Sequence, residues 1–211
     1  MGLVYGWWFF KINLVISKIN CIFVINQKLN KMANHVSTYI RVASEEPKVY
    51  KKLEEMFHDK SYEEMGKPMF LYETLYPESP TEGEGFNYGE MIGAKWAYIE
   101  NVECGDDYFE MSSTSAWYIP DEAIKRLGEI LSELDENVLI EFTYEDESLD
   151  PIGGGACFQD DFITYEESYE WPDEEELSEE EYNEAYDGMW EDIHDITQSL
   201  MNDAIRDILN K

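Results

Sequence analysis

PDEAIKRLGEILSELD, residues 120–135, opens on a proline, follows it with Asp121 and Glu122, and sets Ile124, Leu127, Ile130, Leu131 and Leu134 on one stripe. A proline at the first helical position lacks only an N–H that would go unpaired there, and acids in the first turn suit the positive end of the helix dipole. The spacing of three and four predicts a helix to about Asp135 that buries one face. Upstream, residues 95–102 and 108–117 predict two strands, joined by the turn residues Cys104-Gly105-Asp106-Asp107 as a hairpin. Downstream, Val138, Ile140, Phe142 and Tyr144 alternate with polar neighbours as a further strand.

Further out, Val36, Thr38, Ile40 and Val42 alternate with Ser37, Tyr39 and Arg41, the period of a half-buried strand. Ser44 offers an N-cap, Glu45 and Glu46 a first turn, and Val49, Leu53, Met56 and Phe57 a helical stripe, which predicts a helix to about Asp59. Residues 60–93 are punctuated by prolines and glycines and read as a long loop with a short strand near Phe70. The order is β-α-β-β-α-β. Its fold class is α+β, a ferredoxin-like antiparallel sheet with two helices on one face. After Pro151, Gly153-Gly154-Gly155 reads as a turn and residues 156–165 as one extra strand.

The other sheet face then needs a cover. Ser178-Glu179-Glu180-Glu181 has the pattern of a capping box, and Met189, Ile193, Ile196, Leu200, Ala204 and Ile208 lie on one side of a helix that is expected to dock on the domain. The organisation expected is an extension over residues 1–31, the α+β domain over 32–165 and an acidic helical tail over 166–211.

Residues 1–31 hold Lys11, Lys18, Lys28 and Lys31 and no acid, whereas residues 32–211 hold 11 basic and 47 acidic residues. Between Lys11 and Lys31, 13 of 21 residues are Ile, Asn or Lys, the bias of translated AT-rich non-coding DNA, so a start at Met32 is expected. The competing readings are a peripheral helix or strand and a membrane anchor. Lys11 and Lys18 interrupt the apolar runs, and a spanning helix needs about 20 predominantly apolar residues. A membrane association is therefore expected only if this segment is a real anchor. Three widely spaced cysteines, Cys21, Cys104 and Cys157, form no disulfide framework and suit a cytoplasmic protein.

Gly93-Ala94-Lys95-Trp96 followed by Thr114-Ser115-Ala116-Trp117-Tyr118-Ile119-Pro120 resembles the paired signature of the YubB-like ferredoxin-like domain family of phages and plasmids. Tyr144 and the Gly153–Gly155 run fall in the order of that pattern, and the resemblance covers about residues 90–165. Ala94 stands where the family has threonine, Ser115 interrupts its Thr-Ala-Trp, and Tyr118-Ile119 replace its Ser-Pro. The resemblance implies a ferredoxin-like fold and a viral or plasmid origin, and it brings no catalytic residue. Gly93, Lys95, Trp96, Ala116, Trp117 and Pro120 are read as structural, with Trp96 and Trp117 in cross-strand aromatic contact.

No catalytic constellation, metal site or cofactor motif emerges. His35, His58 and His194 include no i, i+4 pair, and the glycine run lacks the Lys-Ser/Thr of a phosphate loop. His194 beside Asp195 is a poor base and orienter, because adjacent helical residues face different ways. Carboxylate pairs are too common here to indicate glycosidase chemistry. Tyr39, Tyr98 and Tyr108 could stack on RNA bases, yet residues 127–205 carry 27 acids and no base, which repels phosphates.

Between Glu166 and Asp195 there are 15 acids interleaved with aromatics. Read plainly this is a solvated helix face. Read as a binding surface, its candidates are Tyr169, Trp171, Glu174, Glu175, Glu176, Glu180, Tyr182, Tyr186 and Trp190. Aromatics anchor and carboxylates steer, so the expected partner is a basic protein surface, with DNA mimicry as the sharpest form. Two other classes stay open: a small-molecule or enzymatic domain with residues 60–93 as a lid, and an assembly protein of a phage.

Overall fold

The computed structural model describes residues 34–57, 69–77, 88–171 and 178–211, and residues 34–211 form one compact unit. Residues 1–31, His58 and most of the expected 60–93 loop lie outside the described residues. In chain order the elements are β1 His35–Ala43, α1 Pro47–Phe57, β2 Met69–Phe70, α2 Leu71–Leu75, α3 Tyr88–Ile92 and β3 Ala97–Cys104. There follow β4 Phe109–Ala116, α4 Asp121–Ser132, β5 Leu139–Asp146, β6 Ile152–Phe158, β7 Asp161–Glu167 and α5 Glu179–Leu209.

Six long strands and the two-residue β2 form one sheet in the order β2-β3-β4-β1-β5-β6-β7, every neighbouring pair antiparallel. β1 is central, paired with β4 on one edge and β5 on the other, and its alternation is amphipathic along its whole length. Val36, Thr38, Ile40 and Val42 are buried on one side, and Tyr39 opposite them is exposed. On the buried side Ile40 pairs with Met111 and with Phe142, and Val42 with Phe109 and Ile140. α1 contributes Val49, Leu53 and Phe57, and α4 contributes Ile124, Leu127 and Leu131, to the core on that face. Burying a side chain of this size contributes about 1.5–3 kcal/mol, so these six alone anchor both helices.

Several expectations are corrected. α1 begins at Pro47, not at Glu45, because proline is preorganised for the first helical position. The Ser44 hydroxyl donates to Asp135 Oδ2 at 2.5 Å and accepts from the Glu46 N–H at 3.0 Å, tying the turn before α1 to the turn after α4 rather than capping α1. Pro120 is the residue before the first turn of α4, one position earlier than expected. The described parts of the long loop hold the expected short strand, β2, and in addition two short helices, with the Tyr76 hydroxyl donating to Met91 O at 3.1 Å.

The largest correction concerns the glycines. Gly153, Gly154 and Gly155 are not a turn but the middle of β6, and the region expected to hold one strand holds two. The reason is space. A Cβ on Gly154 would lie 2.5 Å from both Thr197 O and Met201 N, so the α5 backbone rests directly on this strand. On the other face the rings of Tyr144 and Phe142 lie across Gly153 and Gly155.

α5 starts as expected. Ser178 accepts from the Glu181 N–H, and Glu181 accepts in return from the Ser178 N–H at 3.0 Å, a complete capping box. Its buried stripe is Met189, Ile193, Thr197, Met201, Ala204 and Ile208, rotated from the expected one so that Ile196 and Leu200 are only half-buried. Contact with Gly154 fixes that rotation and places Thr197 at the closest approach, its hydroxyl satisfied by donating to His194 O at 3.1 Å. The second sheet face is thereby covered over β6 and β7, and among the described residues it is left open over β1, β4 and β3.

Candidate functional site

Residues 182, 186 and 190 are one helical turn apart, so they share a face of α5. Their rings form a row. Tyr182 stacks on Tyr186 at 6.3 Å between centroids, Tyr186 meets Trp190 edge to face at 6.4 Å, and Trp171 stacks on Tyr186 at 6.3 Å from the segment after β7. Trp171 is held there by its indole N–H, which donates to Ser148 O at 3.2 Å. The row is built and yet uncovered: Trp171, Tyr186 and Trp190 are 43%, 37% and 42% exposed. Around it on the same helix stand the exposed carboxylates of Glu181, Glu184, Glu191, Asp192 and Asp195.

Tyr169 has another task. It packs against the cluster of Leu149, Ile152, Met189 and Ile193, and its hydroxyl donates to Asp192 Oδ2 at 3.1 Å. Partial burial first, and that hydrogen bond second, push its pKa upward. Four of the nine candidates are thus brought together as a displayed aromatic surface, and Tyr169 supports it from below. Glu174, Glu175 and Glu176 lie outside the described residues, and Glu180 is in the first turn of α5.

Beyond Trp190 the row runs into a groove of about 540 Å³ between α5 and the open strands. Its floor comprises the outward positions of β1 and β5: Tyr39, Arg41, Glu141, Thr143 and Glu145. Arg41 Nη2 lies 3.0 Å from Glu110 Oε1 and its Nη1 lies 4.0 Å from Glu141 Oε2. Burial raises the pKa of Glu141, with Arg41 opposing the rise, and burial alone raises that of Glu145. Burial, and then the Glu145 charge, raise that of Tyr39. Of these residues the sequence reading singled out only Tyr39, as a ring that could stack on RNA bases, and did not join it to the others. The signal was present in the same alternation that places β1, because every second residue of β1 and β5 must face away from the core.

The family-motif residues are dispersed in structural roles. Gly93 has φ +83° beside Asp121, Ala116 is fully buried with its N–H donating to Trp96 O at 3.0 Å, and Lys95 is exposed. The expected contact between Trp96 and Trp117 is absent. Trp96 stacks on Tyr98 and meets His35 edge to face, each at 5.4 Å, whereas Trp117 ends its strand at φ +75° with its ring 40% exposed. The left-handed backbone at Trp117 turns it off the sheet, which is why the alternation fails there.

Among the described residues no group of three His, Cys, Asp or Glu is placed to hold a metal ion, and no helix is long and apolar enough to cross a membrane. The Cys157 thiol is buried and pushed up to about 11, which suppresses its nucleophilic form. The described parts of the expected lid, residues 69–77 and 88–92, do not line the groove. α2 and α3 pack instead on α4, in the layer on the other side of the sheet.

No family model, curated protein or solved structure matches the chain.

Proposed function

We propose that this protein is a non-enzymatic interaction module that binds a basic surface of another protein, with carboxylates occupying a nucleic-acid-binding partner in place of phosphates as its sharpest form. The observation that carries the reading is the row Trp171, Tyr182, Tyr186 and Trp190, with Trp171, Tyr186 and Trp190 exposed, set among carboxylates. Ordered aromatics left in water are the anchors that binding surfaces use, and the acid field around them accelerates encounter with a basic partner. The 31 residues of α5 would display them on a rod about 46 Å long at 1.5 Å per residue, rigid enough to hold charges in register.

The order β3-β4-β1-β5, with α1, α2 and α3 in the connection from β1 to β3 and α4 in that from β4 to β5, supports a ferredoxin-like reading of that half of the sheet, extended by β6 and β7. Kinship with the YubB-like domains, a phage or plasmid origin and a cytoplasmic setting belong to the same proposal.

The test is titration of the full chain with basic nucleic-acid-binding proteins across a range of salt. Binding is expected to weaken steeply as salt rises, and Tyr186→Ala to weaken it at least about tenfold, as loss of an aromatic anchor does. A complex indifferent to salt, or no complex with any basic protein, sinks the reading.

A further inference from the structure

We infer that the groove between α5 and the open strands seats a basic segment of the partner protein, with an arginine or lysine of that segment over Glu141 and Glu145 and against the rings of Tyr39 and Trp190. This rests on the interaction reading and assigns it a place. The volume of about 540 Å³ is in the range of sites that enclose ligand groups, and ample for two or three side chains. Its charge is unbalanced. Four carboxylates, Glu103, Glu110, Glu141 and Glu145, line it against one permanent cation, Arg41. That cation pairs with Glu110 and reaches Glu141 only at 4.0 Å, and among the described residues Glu145 has no ion pair.

A second feature of the groove points the same way. Tyr39 and Trp190, 53% and 42% exposed, both line it, and ring faces attract cations, guanidinium above all because it is weakly hydrated and planar. Half-buried carboxylates lose hydration without regaining it from a partner, which is consistent with the upward displacement at both glutamates. A cation placed there would supply what solvent no longer does. A phosphate would be repelled, and an apolar segment would leave the floor of Ser112, Thr143 and carboxylates without hydrogen-bond partners. Trp190 also ends the aromatic row on α5, so one continuous segment can run along the row and into the groove.

The experiment uses the full chain and a fluorescein-labelled hexa-arginine peptide, read by fluorescence anisotropy at low salt. Glu141→Gln with Glu145→Gln keeps side-chain size and is expected to weaken binding about tenfold, within the range measured for close charge pairs at interfaces. Glu54→Gln with Glu55→Gln, the same charge change on the exposed side of α1, is expected to weaken it less than about twofold. Trp190→Ala should weaken it in the native-charge background, with circular dichroism confirming an unchanged fold. Equal losses from the two glutamine pairs would overturn the groove assignment and leave the acidic-interaction reading standing. If the unaltered chain fails to bind the peptide at low salt, both fall.

Discussion

Residues 193–208 of α5 and residues 178–190 of the same helix meet the rest of the chain in opposite ways. In the C-terminal stretch Ile193, Thr197, Met201, Ala204 and Ile208 are buried, and the backbone touches the strand at Gly154. In the N-terminal stretch only Met189 is buried among the described side chains, and the rings of Tyr186 and Trp190 stand in solvent. One half is held by packing and the other by its own capping box and stacked rings. Packing and display are therefore separable along one helix, which is the arrangement the proposed recognition surface needs.

The comparison breaks most severely at Gly154. Gly154→Val places a branched side chain where even a Cβ would lie 2.5 Å from helix backbone, so α5 must lift from the sheet. A loss of about 3 kcal/mol or more is expected, measured by chemical denaturation, because backbone cannot give way as a side-chain tip can. If stability is unchanged, the close packing described for the docked half is wrong. Ser178→Ala should act on the displayed half alone. It removes the hydroxyl that accepts from the Glu181 N–H, leaving the backbone N–H of residue 178 to Glu181, and is expected to cost about 1 kcal/mol, read as faster amide exchange confined to the first turns of α5.

Gly188 lies where the two halves join, and nothing comes within 4 Å of a Cβ built on it. Gly188→Ala should raise stability by about 0.5–1 kcal/mol through helix propensity, detected as a higher Tm. A decrease would show that something packs against that face. The smallest effect is on pH dependence. Both Glu141 and Glu145 have folded-state pKa values above the ordinary 4.5, so the native state takes up their protons before the unfolded chain does. The stabilisation this gives is complete below about pH 4.5 and is lost as pH rises through the folded values. The Glu141→Gln, Glu145→Gln variant should accordingly exceed the native chain in Tm at neutral pH, with the gap closing toward pH 4.5 in parallel thermal melts.

The periodic elements were legible because their cause is local. The alternation of Val36, Thr38, Ile40 and Val42, the stripe of α4 and the capping box of α5 each follow from spacing that any packed neighbour would demand. Trp171, Tyr182, Tyr186 and Trp190 were legible as a group because aromatics in an acidic run are conspicuous by composition. What failed did so through long-range packing. Gly153-Gly154-Gly155 carries the local mark of a turn, and only the arrival of α5 on one face and of Phe142 and Tyr144 on the other makes glycine the residue that fits β6. The groove was missed because Tyr39 is far along the chain from Glu141 and Glu145, and the two glutamates look like ordinary outward residues of one strand.

The sequence by itself determined where β1, β3, β4, β5, α1, α4 and α5 run, the sign of the surface charge and the aromatic content of the acidic segment, since propensity, periodicity and charge are properties of neighbouring residues. Tertiary structure decided that α5 covers only the β6–β7 side of the second sheet face, that its stripe centres on Thr197, and that the uncovered side becomes an acidic, ring-walled groove. Those outcomes depend on how closely two backbones can approach, and that distance is set by contacts between residues about 45 positions apart, such as Gly154 and Met201.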